Sequence, residues 1–422
     1  MKPTADPPHK PSTVIGSAKG SSRPTSSSAG IKVYVCLAAA HAMVDCFGST
    51  WSMFKKLAGL DLALSGLIAS VALFIAPIMQ PVFGAVADHG HRRQLVLAGC
   101  ALVSLMMLLG PISMSGAFMH SAAGYATMFF VLLLAGLGAS MFHPPAVSLA
   151  GDTLRHRRST FVALFIACGM TGMASSHLLF SFVYRGLDRH TEVLLLPAGL
   201  IVVWVWRWCR PAESRRHGPL GFRLMMASMA QLPVRLVPLS LVLVLATAHQ
   251  QGMIFLMPEF AAQRGYDDVF VHGGALGALI AGAAIMMVPM GHLADRFGRR
   301  GVMILCLTAC IPVHFVLVMT PDMPTALYVV LLFLVGGLAG AAVPVSLAHG
   351  QHLLPRQSSL ITGLLIGFAW AAASPVLWTV GGLAKQPSLG PSGALTWLGV
   401  SLVATAVSVC FVPVSLRQQT LN

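Results

Sequence analysis

Gly84-Ala85-Val86-Ala87-Asp88-His89-Gly90-His91-Arg92-Arg93 and Gly291-His292-Leu293-Ala294-Asp295-Arg296-Phe297-Gly298-Arg299-Arg300 are two versions of one pattern, placed in opposite halves of a 422-residue chain. Each follows a long apolar run and ends in paired arginines, the arrangement expected where a membrane-crossing helix turns back at a charged face. Outward from these anchors, apolar runs recur at 31–54, 61–87, 94–114, 121–150, 159–184 and 191–208. They recur again at 236–260, 269–294, 301–320, 325–350, 359–384 and 392–413. Each is long enough for one helical crossing of about 20 residues. The sequence therefore predicts an all-α membrane protein with twelve transmembrane helices in two pseudo-symmetric halves.

Composition agrees. Apolar residues make up 56% of the chain and charged residues 9%, against about 25% charged in a soluble domain, which excludes an ordinary cytosolic enzyme. The net charge of +14 is no nucleic-acid signature, because the cations sit between apolar runs instead of on a soluble face. They set orientation. Of the 27 Lys and Arg, only Lys55, Lys56, Arg185, Arg189, Arg264 and Lys385 fall on the side opposite the termini, so both termini are expected in the cytoplasm. Residues 1–30, rich in Ser, Pro and Thr, are expected as a disordered tail. They are followed by a six-helix half (31–208), a cytoplasmic linker (209–235) and a second half (236–416). The eight cysteines show no zinc spacing, so neither a metal nor a cofactor is expected. No Gly-x-x-x-x-Gly-Lys-Ser/Thr motif occurs, so an ion gradient is the expected drive.

The halves echo each other beyond the loops, since Val35 to Phe54 overlays Leu241 to Phe260. Repeats of this kind place a binding site at their shared interface near the bilayer midplane. Asp45 is the acid that falls well inside a helix. Insertion of such a charge costs about 2.5–3.5 kcal/mol, so the residue is expected to face a cavity and to have a role. It is the candidate proton-coupling group, with His41 one turn earlier on the same face. His41 either passes the proton or fixes helix packing. His249, Gln250 and Gln251 occupy the matching stretch of helix seven. His143 precedes Pro144-Pro145, where missing backbone donors free carbonyls for a substrate or for the kink itself. Glu259 is either an outer gate or a solvated helix end. His177, His314 and His349 read as packing residues. No Lys or Arg is expected deep inside a helix, so substrate recognition would fall to His and Gln side chains and to helix ends.

On the loop patterns, the chain resembles the major facilitator superfamily of secondary transporters over residues 31–416. That family's loop signature, Gly-x-x-x-Asp-Arg-x-Gly-Arg-Arg/Lys, is complete at Gly291, Asp295, Arg296, Gly298, Arg299 and Arg300. It is partial at Gly84, Asp88, Arg92 and Arg93. Within the superfamily the chain is most similar to the fosmidomycin-resistance type of efflux protein. The matching residues are Ala40-His41-Ala42-Met43-Val44-Asp45, Gln80-Pro81 and Gly138-Ala139-Ser140-Met141-Phe142-His143-Pro144, with Gln351 to Pro355 and Thr362 to Phe368 in the second half. In helix five, Cys168, Ser176 and His177 stand where that type has Gly, Gly and Pro.

The resemblance implies a monomeric bacterial inner-membrane transporter, not an enzyme, that exports a small drug-like molecule or metabolite in exchange for protons. Its substrate path would include Gln80, Phe142, His143, His249 and Gln251. Gates would form at Gly84, Asp88, Arg92, Arg93, Gly291, Asp295, Arg296, Arg299, Arg300 and Glu259. Two alternatives share the architecture: an importer or facilitator of organic acids or sugars, and a non-transporting membrane receptor or scaffold.

Overall fold

The structure, a computed structural model, describes residues 27–153, 158–209, 236–353 and 358–413. Nearly all of the expected tail and linker, together with Arg155, Arg157, Arg356, Arg417 and the Asp88 side chain, lie outside the described residues. Among the described residues, twelve helices are long and apolar enough to span a bilayer. They are α1 (Gly30–Leu57), α2 (Leu62–Gly84), α3 (Arg92–Met114), α4 (Ala122–Thr153), α5 (Leu164–Gly186) and α6 (Thr191–Trp208) in the first half. The second half holds α7 (Val237–Gln263), α8 (Phe270–Phe297), α9 (Arg299–Met319), α10 (Thr325–Leu347), α11 (Leu365–Ala384) and α12 (Gly390–Val409).

Local chemistry explains the boundaries. Asp61 caps α2 by accepting from the Leu64 amide at 3.0 Å, which satisfies one of the orphan donors of the first turn. Gly298, with φ 92°, separates α8 from α9. Helix α4 continues across Pro144 and Pro145. The two prolines do not break the helix, and hydrogen bonds to neighbouring helices lie close by. Ser140 Oγ, for example, donates to Ala76 O of α2 at 2.8 Å.

Without a hydrophobic drive between helices in lipid, close backbone approach and interhelical hydrogen bonds hold the bundle together. The two halves meet along α2 and α11. A Cβ on Gly66 would lie 2.3 Å from Leu377 O, and one on Gly381 would lie 2.3 Å from Leu62 O, so only glycine permits this contact. Ser70 seals the same seam: its Oγ donates to Ser374 O at 2.7 Å and accepts from the Trp378 amide at 3.0 Å.

Among the described residues, three ion pairs also cross between the halves, all at the end opposite the termini. Lys55 Nζ meets Glu259 Oε1 at 2.6 Å, Arg185 Nη2 meets Asp268 Oδ2 at 2.6 Å, and Lys385 pairs with Asp61. At the other end, the loop arginines make contacts within their own half. Arg92 pairs with Asp152 at 3.2 Å, and Arg93 donates to Trp206 O. Asp295 pairs with Arg299 at 3.6 Å, and Arg300 donates to Cys410 O.

Candidate functional site

Asp45 sits at the centre of a three-residue cluster built from α1 and α4. His41 and Asp45 share one face of α1 through their four-residue spacing, with His41 Nε2 3.3 Å from Asp45 Oδ2. His143, from α4, brings its Nε2 to 3.1 Å from Asp45 Oδ1. The cluster is partly open: the Asp45 side chain is 14% exposed and that of His143 is 32% exposed.

Backbone carbonyls fix both rings. His143 Nδ1 lies 2.7 Å from Ala139 O, and His41 Nδ1 lies 2.8 Å from Phe165 O. A carbonyl only accepts, so each Nδ1 carries hydrogen and donates. Each neutral ring then turns a bare Nε2 lone pair toward a carboxylate oxygen, which is repulsive. Each gap calls for positive charge, and a single proton, on an Nε2 or on the carboxyl group, fills one of the two. His41 is further clamped by stacking on Phe165 at 4.2 Å between centroids. Gly169 of α5 makes room for all of this, since a Cβ there would fall 2.4 Å from Asp45 Oδ2 and 2.6 Å from His41 Nε2.

The other expected path residues are more scattered. Phe142 is fully buried, with its ring centroid 5.8 Å from His41, so in this conformation it supports the cluster from behind. Gln80 is half-buried beside Gly367 of α11. Gln251, buried, donates to Trp370 O at 3.3 Å.

His249 pairs with His314, not with the Asp45 cluster. Its Nε2 is 3.2 Å from His314 Nδ1, and His314 Nε2 is 3.0 Å from Leu395 O. Because Leu395 O accepts, the donors run from His249 to His314 to Leu395. His249 Nδ1 is left as a buried acceptor, and the residue lines a small cleft with Gln250, Met253 and Leu279.

Glu259 is no solvated helix end: its side chain is 9% exposed and holds Lys55, whose own side chain is wholly buried. Lys55 also lies 4.3 Å from the Phe255 ring centroid, a favourable cation–π placement. Lys55 lies in the last turn of α1 and not deep inside the helix, but its burial was not expected from the sequence. The apolar run of α1 extends past Phe54 to Leu57, and a buried acid on α7 compensates the buried ammonium.

The loop motifs are more modest. Gly84 packs near Pro144, and Gly291 has open space around it. Arg296 lies over the Phe297 ring. The Asp295–Arg299 pair is local, with the Asp295 side chain 74% exposed. Arg92 instead engages Asp152, at the end of α4, an acid that sequence reasoning did not single out.

The fold and this polar centre define a membrane transport protein of twelve spans. The Major Facilitator Superfamily profile matches residues 33–377, and the chain belongs to that superfamily; it is not an enzyme. It is 22% identical over 335 residues to the fosmidomycin resistance protein of Escherichia coli, covering 77% of this chain and 78% of that one. It is 25% identical over 339 residues to the multidrug resistance protein MdtG of Dickeya zeae, covering 73% and 78%. Among solved structures, a mutant form of the nucleoside transporter NupG superposes with a TM-score of 0.73 at 14% identity, over 90% of this chain and 99% of that one.

Proposed function

We propose that the protein exports a small drug-like or metabolite molecule in exchange for protons by alternating access, with both termini in the cytoplasm of a bacterial inner membrane. The observation that carries this reading is the Asp45 cluster. Two imidazoles, each locked with its Nδ1 hydrogen on a carbonyl, face one carboxylate, so the centre is complete only when it holds added positive charge. A proton is the simplest occupant, and its loss leaves three acceptors facing one another. Gaining or losing it therefore changes how α1 and α4 fit together.

The arrangement of the cross-half ion pairs supports alternating access. They gather at one end of the bundle, as expected of a conformation closed on the outside, with the Lys55–Glu259 pair as the outer gate. The loop patterns at Gly84 to Arg93 and Gly291 to Arg300 act on the cytoplasmic side, where Arg92–Asp152 and Asp295–Arg299 brace each half by itself. His143, Gln80, His249 and Gln251 are the side chains assigned to the substrate path. The similarity to proteins named for fosmidomycin and multidrug resistance supports export.

The test is susceptibility profiling of cells that lack or overproduce the protein, across antibiotics, dyes and phosphonates. Export predicts that overproduction raises tolerance to at least one compound and that Asp45→Asn abolishes the gain. Faster accumulation of a nutrient, with no change in tolerance, would make it an importer.

A further inference from the structure

We propose that His41, Asp45 and His143 also form a binding site for a divalent first-row transition cation of the Zn2+ or Co2+ type, which occupies the same gap as the proton. The inference concerns the cluster of the proposed function but rests on ligand geometry and not on titration.

The donor set is two imidazoles and one carboxylate, each able to present one atom, and the three atoms lie within 4.8 Å of one another. Around a tetrahedral Zn2+ with bonds of about 2.0–2.1 Å, ligand atoms are separated by about 3.3–3.5 Å. The His143 and His41 edges to the two Asp45 oxygens measure 3.1 and 3.3 Å, and with all three ligand atoms within 4.8 Å of one another, side-chain movement on the order of 1 Å seats the ion.

The outer shell is already built. A metal-bound imidazole characteristically donates its other ring N–H to a carbonyl or carboxylate, which fixes its tautomer and aims it. Both rings do so here, to Phe165 O and Ala139 O, and both bare Nε2 atoms converge on the carboxylate. The exposed flank of His143 leaves a fourth position for water or a donor atom of cargo, the open geometry of an exchangeable site. The absence of a side chain at Gly169 keeps the opposite flank clear. No sequence spacing announces this site, because its ligands come from two helices whose pairing only the fold supplies.

The experiment titrates Co2+ into the purified full-length chain in detergent, with any affinity tag removed, and follows visible d–d absorption and its displacement by Zn2+. The expected result is saturable binding of one equivalent, at least tenfold weaker in Asp45→Asn and in His143→Gln and unchanged in His120→Gln, a substitution on an exposed turn. X-ray absorption of the Zn2+-loaded wild-type chain needs no variant and should report two imidazole nitrogens and one carboxylate oxygen. The proposal is overturned by absence of saturable Co2+ binding to the wild-type chain, by binding equal in wild type, Asp45→Asn and His143→Gln, or by fewer than two imidazoles at the ion. None of those results touches the proton reading, which fails separately if Asp45→Asn leaves transport and its pH dependence intact.

Discussion

Lys55 Nζ and Glu259 Oε1 lie 2.6 Å apart with both side chains buried, one on α1 and one on α7, so the two halves of the bundle share a desolvated ion pair. Such a pair is weak evidence of net stability, because desolvation offsets the attraction. Removing one partner, however, strands a buried charge at a cost of about 3–5 kcal/mol. Glu259→Met and Lys55→Met are each expected to lower the thermal midpoint and to favour separation of the halves at this end. The double variant Lys55→Met/Glu259→Met should recover most of the loss. A double-mutant cycle by thermal unfolding in detergent measures this, and simple addition of the two single losses would contradict it.

The two peripheral ties respond to pH in the same way. Burial opposes ionisation of Asp61, but the Lys385 ammonium and the Leu64 and Ala63 amides outweigh it and hold its carboxyl below the ordinary value of 3.8. The Arg185 guanidinium does the same for Asp268. For depressed carboxyl groups, the contribution to closure is fully present above the ordinary value and is lost as pH falls through the lowered one. Lys385 is shifted upward by Asp61, so its charge persists above its ordinary range. Neither carboxyl group should change its charge between pH 5 and 8. Spin labels at the exposed positions Leu187 and Val269 should therefore show that any opening in that window persists in Asp61→Asn and Asp268→Asn. An opening abolished by those substitutions would assign the response to these ties instead.

Helix five meets the site at Gly169 as well as at Phe165. Gly169→Ala would push a methyl group to 2.4 Å from Asp45 Oδ2, so α5 must withdraw or the carboxylate must turn away from His143. Tolerance conferred by overproduction should fall at least tenfold. Gly199→Ala, where nothing lies within 4 Å of the added carbon, should leave it unchanged and gain up to about 1 kcal/mol of helix stability. Equal tolerance in the two variants would mean that the contact has no functional weight.

The His249–His314 pair makes a stability prediction. His314→Leu leaves the buried His249 Nε2 hydrogen without its acceptor, and such an unsatisfied group costs about 1–3 kcal/mol. A lowered unfolding midpoint is expected in His314→Leu, with a smaller loss in His314→Gln, which keeps a donor and an acceptor. No loss in either variant would show that water replaces the ring freely.

The twelve spans were legible because apolar length is a one-dimensional property, and the pairing of His41 with Asp45 was legible because four residues make one helical turn. The contact between His143 and Asp45 was not, since it depends on how α4 is rotated against α1. Lys55 lies at the end opposite the termini, where its charge counts toward orientation, but its burial against Glu259 was not legible from its place beside Lys56. The signal was nevertheless available: overlaying Val35 to Phe54 on Leu241 to Phe260 puts Glu259 level with Met53, two residues from Lys55. Asp152 was passed over because it ends a helix, yet that position is what lets it meet Arg92.

The proton role of Asp45 is tested most directly in proteoliposomes, using the compound that susceptibility profiling identifies. Its flux is measured with and without an imposed pH gradient, for the wild-type chain and for Asp45→Asn. The account predicts gradient-driven accumulation by the wild type and, in Asp45→Asn, loss of that gradient response even where exchange of labelled for unlabelled compound survives. Gradient-driven flux through Asp45→Asn equal to that of the wild type would contradict it.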